Sequence, residues 1–254
     1  MKILFALLLL SPVAAFAQSL FDGTWIIDAD TMRLPEKPAE YLLAKGMFRS
    51  AGTEIKADGN DQKVPETGYS DTMSVRVADD HTVEIISKKA GKTMFTEVDT
   101  VSPDGSILTQ VVKDTTEAQA VTIETLSRRV EPGPAGSHVL SGSWQAYKTN
   151  RSKNGSTIKY RCTADGFSAE TALGEKFDAK FDGKDYPVED DPAHSTVSVR
   201  LLSPNMIEQT GKRDGKVVGI LRLTVAPGGE IIHATFENKE ANTTTSYEMR
   251  KQSQ

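Results

Sequence analysis

The chain has 254 residues, a formal net charge of −5 at neutral pH and one cysteine, Cys162. A mildly acidic protein with scattered lysines and arginines lacks the cations needed to release counterions from phosphate backbones, which argues against nucleic acid as a partner. A single cysteine excludes an internal disulfide, so the fold must be held by its cores. The length suffices for two cores of about a hundred residues each.

The first seventeen residues have the pattern of an export signal. Lys2 is the only charge, the run from position 4 to 10 is nearly all apolar, and Ala15-Phe16-Ala17 has the small-x-small form of a cleavage site. The apolar run is shorter than the ~20 residues a transmembrane helix needs. We therefore expect residues 1–17 to be a signal peptide cleaved near Ala17, and a periplasmic or secreted product without membrane insertion.

The rest of the chain contains an internal repeat with a constant offset. Residues 73–77 align with 197–201, and Gly91-Lys92 aligns with Gly215-Lys216, each 124 positions apart (197 − 73 and 215 − 91). Each half also begins with Gly-x-Trp, at Gly23 and Gly142. A repeat of this length indicates a folded unit, so the prediction is a first barrel over residues 18–130, a linker over 131–139 and a second barrel over 140–254.

The first half begins differently from the second. Residues 38–47 start at Pro38 and reach Gly46 near their end, a pattern that predicts a short helix. After it, alternating polarity predicts strands, which lie at 72–78, 82–88, 93–101, 107–113 and 121–129.

Residues 131–136 alternate proline and glycine, which predicts a short spacer between the halves. The second half then repeats the short alternating runs, with Asp182-Gly183 and Asp214-Gly215 supplying the positive φ of tight hairpins. The predicted fold class is all-β, with two tandem small antiparallel β-barrels and a short helix in the first. A sandwich, or one large closed sheet shared by both halves, remains the alternative.

The Gly-x-Trp start of each half, with a basic residue on its last strand, resembles the lipocalin and wider calycin pattern. The repeats are also similar to tandem lipocalin-like units of uncharacterised exported bacterial proteins. The resemblance implies a barrel in which an arginine of the final strand packs across the tryptophan and closes one end. The implied pairs are Trp25 with Arg128 and Trp144 with Arg250.

No motif for catalysis or metal binding is present in the sequence. There is no Gly-x-Ser-x-Gly and no phosphate loop, and the four histidines lack the spacing of a zinc site. The acidic clusters do not follow the spaced calcium-loop pattern. We therefore expect no enzyme, no cofactor and no metal.

Two functions remain open. In the first, the barrels bind a small apolar ligand, with a lining predicted at Met73, Val75, Val77, Val197, Val199, Leu201, Leu221, Leu223 and His233. In the second, the barrels have solid cores and the chain contacts another envelope protein. The unmatched segment of residues 38–48 would then supply additional apolar surface.

Overall fold

The computed structural model describes residues 20–116, 120–171 and 174–253. Within them the chain forms two antiparallel sheets of ten strands, each nearly closed into a barrel. Two tandem β-barrels are therefore confirmed, and there are two sheets rather than one. The predicted signal peptide, residues 1–17, lies outside the described residues.

The first barrel contains strands β2 to β11. They are β2 (Ala39–Ala44), β3 (Met47–Ser50), β4 (Thr53–Lys56), β5 (Gln62–Lys63), β6 (Thr72–Val77), β7 (Thr82–Lys89), β8 (Lys92–Val101), β9 (Ile107–Asp114), β10 (Val121–Pro132) and β11 (Gly142–Arg151). Their order across the sheet is β4-β3-β2-β11-β10-β9-β8-β7-β6-β5.

The second barrel contains β1 and strands β12 to β20. They are β1 (Gly23–Arg33), β12 (Thr157–Cys162), β13 (Gly166–Thr171), β14 (Lys176–Lys180), β15 (Tyr186–Pro187), β16 (Thr196–Ser203), β17 (Met206–Arg213), β18 (Lys216–Val225), β19 (Ile231–Asn238) and β20 (Thr243–Lys251). Their order is β14-β13-β12-β1-β20-β19-β18-β17-β16-β15. A 3-10 turn over Lys153–Gly155 precedes β12.

The two halves of the sequence exchange their first strands. β1 pairs with β12 and β20 of the second barrel, whereas β11 pairs with β2 and β10 of the first. The predicted boundaries, 18–130 and 140–254, therefore do not describe the sheets. Each half contributes its Gly-x-Trp strand to the barrel of the other, so the chain crosses between barrels twice, through residues 34–38 and 152–156.

The proline-glycine segment is not a linker between barrels. Pro132 lies opposite Gly142 in the β10–β11 pair, and the Gly133 N–H donates to the Ser141 carbonyl oxygen at 3.0 Å. The predicted linker, residues 131–139, thus ends β10 and begins the connection to β11 within one sheet. Its turn residues were recognised correctly, but a turn between adjacent antiparallel strands has the same composition as a spacer.

The helix predicted for residues 38–47 is wrong. The structure has β2 and β3 there, joined by a hairpin in which Lys45 and Gly46 adopt φ values of 53° and 73°. Positive φ at both central residues is the geometry of a type I′ two-residue hairpin, so Gly46 is a hairpin glycine and not a helix end. Leu43 and Phe48 are each only 3% exposed and belong to the core, whereas Tyr41, Leu42 and Met47 are partly exposed, so the apolar surface predicted for residues 38–48 is smaller than expected.

Each barrel has its own apolar core. The core of the second barrel includes Phe21, Trp25, Phe167, Ile207, Leu223, Ile232 and Met249. The core of the first barrel includes Leu43, Phe48, Val75, Val83, Leu108, Leu140 and Trp144. Inward and outward residues alternate along the strands, as the period of two requires.

Candidate functional site

A buried tryptophan closes one end of each barrel, with a cation on its ring. In the first barrel the guanidinium carbon of Arg129 lies 4.0 Å from the centre of the Trp144 ring. In the second, Lys251 Nζ lies 5.4 Å from the centre of the Trp25 ring. The indole N–H groups donate to backbone carbonyls at 2.8 and 2.7 Å. The tryptophans are thus structural residues whose polar atoms are satisfied inside the chain.

The two tryptophan–arginine pairs implied by the resemblance are wrong in detail. Arg128 lies over the Tyr147 ring at 4.4 Å, and Arg250 Nε pairs with Asp28 Oδ2 at 3.0 Å, so neither arginine contacts a tryptophan. Adjacent residues of a strand face opposite sides, which makes an error of one position sufficient to select the outward side chain. The strand exchange also reverses the partners, since Trp25 meets the end of β20 and Trp144 the end of β10.

The glycine of each Gly-x-Trp motif is required by its backbone conformation and by the atoms packed against it. Gly23 and Gly142 have φ values of 134° and 133°, where side chains are rarely accepted. A Cβ on Gly142 would lie 2.3 Å from the Glu131 carbonyl oxygen and 2.9 Å from an Arg129 guanidinium nitrogen, and one on Gly23 would lie 2.9 Å from Lys251 Cε. The motif therefore combines the tryptophan with the space its cation needs.

The opposite end of the second barrel contains a cavity of about 430 Å³. Its apolar wall consists of Ala169, Phe177, Val188, Val197, Val218, Leu221 and Phe236. The volume lies in the lower part of the ~300–1,000 Å³ range typical of small-molecule sites. Phe236 is 37% exposed although its strand partner is Leu221, a cavity residue, so the ring presents apolar surface to this space.

Two facing glycines lie at this level of the barrel, and only Gly211 leaves its side open. Gly211 of β17 pairs with Gly219 of β18, so this layer of the barrel has no side chain on two adjacent strands. A Cβ on Gly219 would lie 2.6 Å from the Phe236 ring, and the glycine therefore allows the ring to lie against the backbone. A Cβ on Gly211 meets nothing closer than 3.8 Å, so its side of the cavity is open.

A loop of the first barrel reaches the mouth of this cavity. Tyr69, from the connection between β5 and β6, lines the cavity and contacts the Arg213 guanidinium, 5.5 Å from its ring centre. Its hydroxyl also bonds to the Asp191 carboxylate of the second barrel. Burial, reinforced by the charges of Glu175 and Asp191, raises the pKa of Tyr69, which remains a neutral donor.

The two barrels approach closely next to this tyrosine. A Cβ on Gly68 would lie 2.3 Å from the Ala193 Cβ, so only glycine fits between the loops. The mouth of the cavity is therefore built from both barrels, and Tyr69 is held over it from outside the second sheet.

Three buried donors in the cavity lining have no hydrogen-bond partner among the described residues. They are Thr171 Oγ1, Gln209 Nε2 and Arg213 Nε. Gln209 is 8% exposed and lies between Val199 and Leu221 in the sheet. Buried polar groups in folded proteins are nearly always hydrogen-bonded, so these three atoms are points of the lining at which a partner is missing.

The structure separates the predicted lining residues into several groups. Val197 and Leu221 line the cavity. Val75, Val199 and Leu223 are fully buried core residues, and Met73 and Leu201 pack against the cores.

Two of the predicted lining residues are not in a barrel interior. Val77 is 40% exposed at the end of β6. His233 lies in solvent, with its Nδ1 3.6 Å from Glu248, because its neighbours Ile232 and Ala234 take the inward positions of β19.

The first barrel has a polar interior at the corresponding level. Gln110 Nε2 is 3.0 Å from Tyr41 Oη, 3.0 Å from Glu97 Oε1 and 3.1 Å from Asp99 Oδ1. Burial, together with the charge of Glu97, raises the pKa of Asp99 to about 9, and burial raises the pKa of Glu97 as well. The two carboxyl groups thus retain a proton at neutral pH, because two buried negative charges cannot share one site.

Other candidate features have structural explanations. Cys162 is buried, and burial raises the pKa of its thiol to about 11, as expected for a small core residue. Across the described ranges, no cluster of three His, Cys, Asp or Glu side chains could hold a metal ion. Within the same ranges, no helix is long and apolar enough to cross a membrane.

The sequence analysis missed the residues that shape the cavity. Gly219 corresponds to Phe95 in the first half (219 − 95 = 124), so comparison of the repeats contains the signal of a lost side chain. Gln209 stands two positions after Ile207 in the inward pattern of β17, which marks it as a polar core residue. Tyr69 gives no such signal, because its contacts are made across two barrels.

Comparisons with known proteins give limited information. No protein-family model matches the chain, and no curated protein matches it. Among solved structures, the chain is similar to a double mutant of the vaccine antigen transferrin-binding protein B from Haemophilus parasuis, with 10% identity and a TM-score of 0.22. The match covers 88% of this chain and 45% of that one. A likeness this distant provides no basis for transferring what that protein binds.

Proposed function

We propose that this chain is an exported, non-enzymatic binding protein that holds a small, largely apolar molecule at the open end of the second barrel. The cavity of about 430 Å³, open on the side of Gly211, carries the proposal. Lipocalin-like barrels can enclose one small ligand of this kind. The export signal supports a role outside the cytoplasm.

The proposal assigns different tasks to the two barrels. The second binds, and the first supplies Tyr69 to the mouth. The alternative of an envelope interaction protein was based on apolar surface at residues 38–48, and those residues form β2 and β3 with a buried Leu43 and Phe48.

A cavity-filling variant tests the site. Gly211→Leu places a leucine side chain in the open layer without a backbone clash, since a Cβ there has 3.8 Å of free space. The hydrocarbon dye diphenylhexatriene, titrated into the protein, should bind with micromolar affinity, and Gly211→Leu should weaken this binding by roughly tenfold or more, equivalent to ~1.4 kcal/mol.

Thr210→Leu is the matched control, because Thr210 neighbours Gly211 on the same strand and faces the other side of the sheet. It should leave dye affinity within about twofold of the wild type. Thermal melting of both variants checks that the fold is intact. Dye binding that is equal in wild type and folded Gly211→Leu would refute this site.

A further inference from the structure

We infer that the ligand of this cavity is uncharged and carries one carbonyl oxygen, of the ketone or ester class, which accepts a hydrogen bond from the Gln209 side chain. This inference rests on the proposed function and specifies its ligand. The lining combines an apolar wall with the buried amide of Gln209.

Gln209 is placed so that only an occupant of the cavity can satisfy it. Its strand neighbours are Val199 on one side and Leu221 on the other, and neither has a side-chain acceptor. The residue is 8% exposed, and its Nε2 has no partner in the described part of the chain. Gly211 follows in the inward row and also lines the cavity, so a ligand lying over Gly211 is next to the Gln209 side chain. A ligand oxygen at this place would satisfy the donor.

The polar groups nearer the mouth favour an uncharged ligand. Arg213 is already paired, with Nη1 3.3 Å from Glu240 Oε1, and its guanidinium contacts the Tyr69 ring. Glu240 and Glu175 both line the cavity, so the lining has two carboxylates and one guanidinium, a net charge of −1. A ligand carboxylate would lose its hydration and meet this negative charge, whereas a carbonyl oxygen would not.

Thr171 Oγ1 and Arg213 Nε also favour a ligand that carries an acceptor oxygen. Both are buried, line the cavity and have no partner among the described residues. The lining therefore offers hydrogen-bond donors at several points of an otherwise apolar wall. An apolar molecule with an acceptor oxygen matches this lining better than a pure hydrocarbon.

Three ligands of the same chain length test the inference by displacement of diphenylhexatriene. They are methyl nonyl ketone, undecane and undecanoic acid, at about pH 7.5, where the acid is ionised. We expect the ketone to compete roughly 5- to 100-fold more tightly than the alkane, the effect of satisfying one buried donor. The acid should compete more weakly than the ketone.

The variant Gln209→Leu tests the contribution of the Gln209 amide to ketone binding. It should reduce the affinity of the ketone to that of the alkane, while the affinities of the alkane and the dye stay equal or increase. Gln252→Leu, at an exposed glutamine, is the control and should preserve the preference for the ketone.

Each result has a distinct meaning. Equal competition by ketone and alkane, or by neither of them, overturns the carbonyl assignment while dye binding keeps the proposed function. Tightest binding of the acid overturns the uncharged ligand, and a preference that survives in Gln209→Leu overturns the role of Gln209. Failure of the dye itself to bind wild-type protein removes the proposed function and this inference together.

Discussion

The two barrels have the same strand plan and different interiors. At equivalent positions, 124 residues apart, the first barrel has Phe95, Glu97, Asp99 and Gln110, and the second has Gly219, Leu221, Leu223 and Ala234. The first interior is filled by an aromatic ring and a polar cluster, and the second is apolar and open towards its mouth.

This difference shows which residues make the fold and which make the site. Both barrels retain the Gly-x-Trp end with its cation, so this end defines the common frame. The other end differs because a small barrel can be packed by its own side chains or can keep space for one ligand. Gly219 stands where the first barrel has Phe95, and the Phe236 ring lies against it.

The largest expected effect concerns the strand exchange that links the barrels. Trp25 belongs to the first half of the sequence but is fully buried in the second barrel. Trp25→Ala should therefore destabilise the second barrel, by about 3–5 kcal/mol, the usual effect of truncating a buried tryptophan. Hydrogen exchange should show lost protection in β12 and β20, the strands that flank β1.

Trp144→Ala is the reciprocal variant and should act on the first barrel, with lost protection in β2 and β10. Each tryptophan thus reports on the barrel that contains it and not on its own half of the sequence. Loss of protection confined to β2–β4 in Trp25→Ala would contradict the exchange.

The second-largest expected effect is a pH dependence of stability that comes from the polar interior of the first barrel. The folded protein retains the Asp99 proton up to a pKa of about 9, whereas the unfolded chain releases it near 3.8. Stability is therefore fully present below the unfolded pKa and decreases as pH rises through this window. Asp99→Asn mimics the protonated acid and should remove this decrease, with a gain on the order of 1–3 kcal/mol near the alkaline end.

Chemical denaturation at several pH values between the two pKa values measures this slope. Asp104→Asn is the control: Asp104 is an exposed turn residue whose pKa is lowered to about 2 by hydrogen bonds from Ser102 and Ser106, so its contribution is lost as pH falls. Asp104→Asn should leave the slope between pH 3.8 and about 9 unchanged, because Asp104 titrates below that window, whereas Asp99→Asn should flatten it. An unchanged alkaline slope in Asp99→Asn would show that the pair does not retain its proton.

Much of this architecture could be predicted from the sequence, because it depends on patterns between residues close together in the chain. Hairpin glycines such as Gly215 and the alternation along β16 to β18 are short-range patterns, so strand positions and the two-barrel plan were predictable. The strand exchange was not, because β1 and β11 carry the same motif and would fit either sheet equally by pattern.

The details of the site depend on tertiary placement. Arg129 rather than Arg128 reaches Trp144, and this choice depends on the face of a strand that bulges within its pairing with β11. Residues 39–44 contain an apolar run that fits a helix or a strand, and pairing with β11 and β3 decides between them.

The smallest expected effect tests whether the first barrel controls access to the second. Tyr69 corresponds to Ala193 in the repeat (193 − 69 = 124), so Tyr69→Ala makes the two loops alike and removes the ring from the mouth. Stopped-flow release of diphenylhexatriene should become about three- to tenfold faster, whereas the free energy of unfolding should change by only ~1 kcal/mol because the ring is half-buried. Tyr69→Phe keeps the ring and removes the bond to Asp191, so its release rate should lie closer to that of the wild type. Equal release from all three proteins would mean that the ring does not cover the ligand, and the cavity would then be a property of the second barrel alone.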